Sequence, residues 1–230
     1  SAQSAREQGC RTDKERGVMR TIVTAVFAAI LLTACHTSNR YIIEGTTSKS
    51  EGCYYLFRGY DLVDSAVIVD GKYRFEGEID SLVPTRNISS TNLNDPWLTT
   101  RFAPVILDSG TIRVSEDDSS VTGGLVVVGT KGNDAIHNFA TKGHQIQEAG
   151  EFVFSQEERE KLNREYDKLV TKTIEKNLDN FASLYLLSVS GNRYTDEQKA
   201  KYLKRLSPAM KRTTAAEFIR NQINTNNKTE

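Results

Sequence analysis

The sequence predicts an α+β fold: an antiparallel β-sandwich or open barrel followed by a helical region. Three observations carry this. Between residues 41 and 131, short apolar runs alternate with polar residues and are broken by turn signals. An Asp-Gly pair, Asp70-Gly71, sits between two such runs. From residue 132 the apolar repeat lengthens to three or four residues, the period of an amphipathic helix.

The strands follow in order. "YIIEG" opens at Tyr41 and "CYYLFRG" at Cys53. "DSAVIVDGKYRFEGEI" places Ala66 and Ile68 before Asp70-Gly71, with Tyr73 and Phe75 after it. Both central residues of a type I′ turn need positive φ, so Asp-Gly there predicts a hairpin. "TRNISST" follows, then "FAPVILDSGTIRVSE", where Ser109-Gly110 supplies a turn, and then "GLVVVG". Seven or eight short strands in about 90 residues read as a sandwich or open barrel.

The helices come next. "NDAIHNFATKGHQIQEAG" has helical spacing, weakened by Gly143. Ser155 with Glu158 matches a capping box ahead of Leu162, Tyr166, Leu169 and Ile174. "NFASLYLLSVS" is short and apolar, so it is expected to be buried between other helices. Thr195 with Gln198 caps another helix. Ser207-Pro208 is expected to start the last one, because a proline at the first helical position has no N–H to waste. The expected plan is an upstream non-domain segment (1–18), a signal (19–34), a tether (35–40), a β-domain (41–131), a helical region (132–224) and a polar tail (225–230).

The apolar stretch from Thr21 to Ala34 is uncharged and about 14 residues long, shorter than the ~20 that a spanning helix needs. Arg20 precedes it, which is the layout of a secretory signal. Leu32-Thr33-Ala34-Cys35 resembles the lipobox of bacterial lipoproteins. That resemblance implies lipidation of the Cys35 thiol and cleavage before it. It places the mature chain in the cell envelope, held to the membrane by lipid. His36 stands where some lipoproteins carry an inner-membrane retention Asp, which points to the outer membrane, facing the periplasm or the cell surface. Cys10, upstream of Met19, has no expected role. With Cys35 lipidated and unable to pair, Cys53 reads as a small buried hydrophobe.

Charge excludes one class of partner. Lys+Arg and Asp+Glu both number 30. Residues 35–130 carry 8 basic and 13 acidic side chains, and residues 131–230 carry 17 and 14. Neither part is polarised enough for a nucleic-acid partner, and these charges read as solvated surface. No catalytic set, cofactor motif or metal site is expected. The sequence lacks C-x-x-C, so it holds no dithiol redox centre. His137 and His144 lie seven residues apart, about 10 Å along a helix, too far to share one metal directly. Glu116-Asp117-Asp118 lacks the glycine and distal glutamate of a calcium loop. Gly123-Gly124 and the 129–133 stretch do not match a phosphate loop and read as turns. Trp97, in "NLNDPWL", and the scattered tyrosines are the only candidates for stacking on a sugar.

Residues 41–190 resemble the N-terminal domain of unknown function found in Gram-negative TlpA-like thiol–disulfide lipoproteins. The residues carrying this are Ile43, Gly45, Tyr55-Leu56, Asp64-Ser65, Asp70-Gly71, Phe75, Gly77, Gly110 and "NLDNFASLYLLS". In fuller members a thioredoxin domain with W-C-x-x-C follows, and no such motif occurs in these 230 residues. The resemblance therefore implies a non-enzymatic, lipid-anchored accessory or binding module with an envelope protein partner, associated with thiol–disulfide systems. Two alternatives stand beside it: the truncated N-terminal part of an oxidoreductase, and a glycan-binding lipoprotein using Trp97.

Overall fold

The fold was obtained as a computed structural model. The structure describes residues 39–80, 84–91, 101–121, 123–151, 153, 155–190 and 193–226. The signal, Cys10, Cys35 and Trp97 lie outside them.

Alternation of apolar and polar side chains drives the first half into eight strands. They are β1 (Arg40–Thr46), β2 (Cys53–Arg58), β3 (Asp61–Val67), β4 (Lys72–Glu78), β5 (Thr85–Ser89), β6 (Phe102–Ile106), β7 (Gly110–Glu116) and β8 (Leu125–Val128). They form two four-stranded sheets, ordered β4-β1-β7-β8 and β3-β2-β5-β6. Every second residue points inward. Ile43, Phe75, Ile112, Val114 and Leu125 of one sheet share a core with Tyr54, Leu56, Ile88 and Val105 of the other. This is the β-sandwich expected, with one departure: β1 and β7 pair in parallel, and all other pairs are antiparallel.

The Asp70-Gly71 turn forms as expected, with φ of 51° and 69°. Val69 and Lys72 exchange hydrogen bonds of 2.8 and 3.0 Å across it. The ladder stops there, because β3 joins one sheet and β4 the other. Ser109-Gly110 likewise turns the chain from β6 in one sheet to β7 in the other. Both turns connect sheets; neither closes an extended hairpin.

Six helices follow: α1 (Lys131–Gly150), α2 (Gln156–Lys176), α3 (Phe181–Val189), α4 (Asp196–Arg205), α5 (Pro208–Lys211) and α6 (Thr214–Asn226). Gly143 does not interrupt α1. It is buried, and a Cβ there would come within 3.2 Å of the Tyr166 ring, so the small residue lets α2 approach. Ser155 caps α2, and Thr195 with Gln198 makes a full capping box on α4. Helix α3 is buried along most of its length, as its composition demands. The helix opened by Ser207-Pro208 is not the last one. It ends after one turn, and the Thr213 hydroxyl then accepts from Ala216 N (3.3 Å) at the start of α6. The helices share a second core, built on Ile174, Leu184, Leu186, Leu206 and Ile219, into which Ile106 of β6 projects. Among the described residues, no helix is long and apolar enough to cross a membrane.

Candidate functional site

Cross-strand aromatics shape the sandwich. In the β1–β4 register, Tyr41 faces Gly77 and Gly45 faces Tyr73. Each tyrosine ring lies over the glycine opposite. A Cβ on Gly45 would sit 1.9 Å from Tyr73 Cζ, and one on Gly77 2.8 Å from the Tyr41 hydroxyl. Aromatic cover of a strand glycine restores the surface that the missing side chain leaves bare. Tyr73 also stacks on Tyr54, with ring centroids 4.0 Å apart and planes 11° off parallel.

This stack leads to a polar knot. Glu116 Oε1 accepts from the Tyr54 hydroxyl (2.7 Å) and Thr47 Oγ1 (2.6 Å). Its Oε2 accepts from Ser48 N (3.0 Å) and Ser48 Oγ (2.8 Å), with the Arg101 guanidinium 3.6 Å away. Burial alone would raise the Glu116 pKa. The bonds from Ser48, Thr47 and Tyr54 outweigh it and hold the carboxyl at about 2. The same burial, and the bond to Glu116, raise the Tyr54 pKa. These bonds fasten the 47–49 turn and Tyr54 of β2 to Glu116 of β7, so the arrangement is a clasp. It has neither a poised base nor a nucleophile.

A second cluster fixes the β–α junction. Asn133 accepts from Ile106 N (2.9 Å) and donates to Ile106 O (2.8 Å) and Thr130 Oγ1 (2.7 Å). Asp108 Oδ2 accepts from Gly132 N (3.0 Å) at the start of α1. Burial raises the Asp108 pKa, and its bonds to Gly132 and Thr130 oppose that. Lys131 reaches Asp179, 2.6 Å away, before α3. The helical region is thus tied to the end of β6 by hydrogen bonds as well as by apolar packing.

The other residues singled out in the sequence do not converge. His137 is half-buried and lies against Ala103, Pro104 and Val127. His144 pairs with Glu148 one turn on, at 3.0 Å. Asp117 accepts from Ser119 within its turn. Gly123, Gly124 and Gly129 all have positive φ, as turns at strand ends, but Lys131, Gly132 and Asn133, expected to belong to such a turn, open α1. Among the described residues, no group of three or more His, Cys, Asp or Glu is placed to hold a metal ion. Cys53 is buried, as expected, but it is disulfide-bonded, which overturns its reading as an unpaired small hydrophobe.

Two concave surfaces stand out. A cavity of about 850 Å³ lies over the sheet formed by β4, β1, β7 and β8, edged by Val67 and Val69 and floored by Thr46, Ser115 and Val128. Arg74 there is committed to Glu44 (2.6 Å) and Glu76 (3.3 Å), whereas Arg113 makes no ion pair among the described residues. The second, of about 580 Å³, runs between α1 and α2 and is rimmed by lysines. Both fall in the size range of ligand-binding clefts. The sequence reading missed both. The strand-face cavity needs two strands to separate into different sheets, which no local pattern reveals. The helical groove did leave a trace, lysines at every fourth position from Lys168 to Lys176.

The fold and these surfaces describe a β-sandwich with a docked helical region and two concave surfaces, without assembled catalytic groups among the described residues. Residues 41–136 match the family described as Domain of unknown function (DUF4369), the N-terminal domain of TlpA-like proteins. The matched stretch takes in the strands from Tyr41 through β8 and the opening turns of α1, including Asn133 and Ile136. No curated protein and no solved structure matches the chain.

Proposed function

We propose that the chain is a lipid-anchored accessory module of the bacterial cell envelope that binds and positions a protein partner of a thiol–disulfide system. The observation that carries this is the match of residues 41–136 to the N-terminal domain of TlpA-like proteins. The lipobox-like Leu32-Thr33-Ala34-Cys35 supports the anchor and the envelope location, with the outer membrane favoured by His36. Its acyl chains would contribute about 0.8 kcal/mol per buried methylene, and several chains together make the attachment effectively permanent. The open cavity over the β4-β1-β7-β8 face and the lysine-rimmed groove offer surfaces for a partner. No residue is assigned a catalytic role.

The test is the redox state of envelope thiols, trapped by acid quenching and alkylation. Deleting the gene should shift the oxidised fraction of at least one envelope protein. The wild-type gene should restore it, and a Cys35→Ser form should not. Unchanged thiol states in the deletion strain contradict the thiol–disulfide association.

The same match favours a second reading, the N-terminal part of a thiol–disulfide oxidoreductase whose active site lies in a following domain. An in-frame W-C-x-x-C in the next ~150 codons of genomic DNA would favour it over the accessory module.

A further inference from the structure

The groove between α1 and α2 carries charge that no ion pair among the described residues answers. Lys142 of α1 and Lys168, Lys172 and Lys176 of α2 line it, against the single acid Glu165, leaving a net charge of +3. None of the four lysines makes an ion pair among the described residues. Other cations of the helical region do find acids, Lys131 with Asp179, Arg205 with Glu175 and Arg193 with Asp167. Two of these acids, Asp167 and Glu175, belong to α2 itself. Asp167 and Glu175 thus turn to the arginines before and at the end of α4, while Lys168, Lys172 and Lys176 of the same helix line the groove.

Beneath the lysines the floor is apolar: Ala135, Phe139 and Leu169, with Phe139 packed edge-on to Tyr166 at 5.8 Å. The polar groups of the floor are turned into their own helices. Thr173 Oγ1 donates to Leu169 O (2.8 Å) and Asn177 Nδ2 to Thr173 O (2.8 Å). No arginine fork or free backbone N–H is aimed into the groove, so it lacks the fixed donors that recognise a small anion. A bilayer surface would meet the lysine tips but would not reach a floor recessed between two helices. An amphipathic helix meets both requirements. It lies in the groove as a third helix, with axes ~8–10 Å apart, puts apolar residues on Phe139 and Leu169, and presents carboxylates to the rim. Lys168, Lys172 and Lys176 rise about 6 Å apart along α2, the spacing of acids four residues apart on a facing helix.

We infer that the α1–α2 groove is the docking site for an acidic amphipathic helix of a partner protein. This deepens the accessory-module reading and rests on it only for the partner's being an envelope protein.

The test uses the full chain in detergent and a fluorescent 15-residue helical peptide with leucines at positions i, i+3 and i+7, flanked by glutamates. Fluorescence anisotropy should show binding. It should weaken at least tenfold when the glutamates are replaced by glutamine, when Lys168→Glu and Lys172→Glu are introduced together, or when salt is raised. The charge-reversed protein should instead bind a peptide carrying lysines in place of the glutamates. Circular dichroism checks that these exposed substitutions leave the fold intact. Equal binding of the glutamate and glutamine peptides, or undiminished binding by the charge-reversed protein, overturns the proposal. So does binding of the Cys35→Ser chain to phosphatidylglycerol vesicles through these lysines with no binding of the peptide. If the peptide binds as expected while envelope thiol states are indifferent to the gene, the groove stands and the thiol–disulfide association falls.

Discussion

Gly45 shows how a single atom sets the sandwich. Its missing Cβ is the space in which the Tyr73 ring lies, and that ring supports Tyr54. Gly45→Ala should destabilise the protein by about 2–3 kcal/mol, the cost of overpacking a filled core. Tyr73→Ala should also destabilise, through the cavity it leaves. Combined, the two should cost less than their sum, because the clash needs both side chains. Urea denaturation of the two single variants and the double variant reads this directly; strict additivity contradicts the contact. Glu116 makes a pH-dependent contribution at the same end. Its folded pKa of about 2 lies below the ordinary 4.5, so its stabilisation is complete above pH ~4.5 and is lost as pH falls toward 2. Glu116→Gln should be less stable at pH 7, and its stability should fall less than that of wild type between pH 5 and pH 2. The difference should be on the order of 2–3 kcal/mol in chemical denaturation at each pH.

At the scale of elements, the decisive contact is Asn133, which completes the backbone bonding of Ile106 where β6 meets α1. Asn133→Ala leaves the buried Ile106 N–H without a partner, while Ile106 O keeps its bond from Asp108 N (2.9 Å), and thermal unfolding should show a loss of about 2 kcal/mol. Asn133→Ser, with a shorter reach, should recover little of it. Local signals served the elements well. The strand alternation, the Asp70-Gly71 turn and the caps at Ser155 and Thr195 depend on neighbouring residues, and all were legible in the sequence. Partnership was not. The parallel β1–β7 pair, and the crossing from β3 to β4 between sheets, are decided by which apolar faces must meet, and those faces come from distant parts of the chain. Thr213 shows the same limit in miniature: a threonine after "PAMKR" reads as helix interior until its hydroxyl is found capping α6.

At the scale of the whole molecule, two cores are joined through Ile106 and the hydrogen bonds around it. Uneven charge follows the same division, with residues 35–130 acidic on balance and residues 131–230 basic. Read along the sequence, that basic excess looks like ordinary solvated charge. Folding gathers part of it, Lys142 with Lys168, Lys172 and Lys176, around one apolar groove, because antiparallel packing of α1 on α2 brings residue 142 beside residue 168. The proposed anchor at Cys35, five residues before β1, would hold this bipartite body close to a membrane.

Partition of the protein expressed in a Gram-negative host between aqueous and detergent-rich phases tests the anchor most directly. Wild-type chain should enter the detergent phase, and its N-terminal peptide should begin at a Cys35 heavier by its acyl groups. Cys35→Ser chain should remain uncleaved before residue 35 and carry no added acyl mass. A Cys35→Ser form that matures and partitions as wild type does, or a wild-type N-terminal peptide with an unmodified Cys35, would contradict lipid anchoring at this residue.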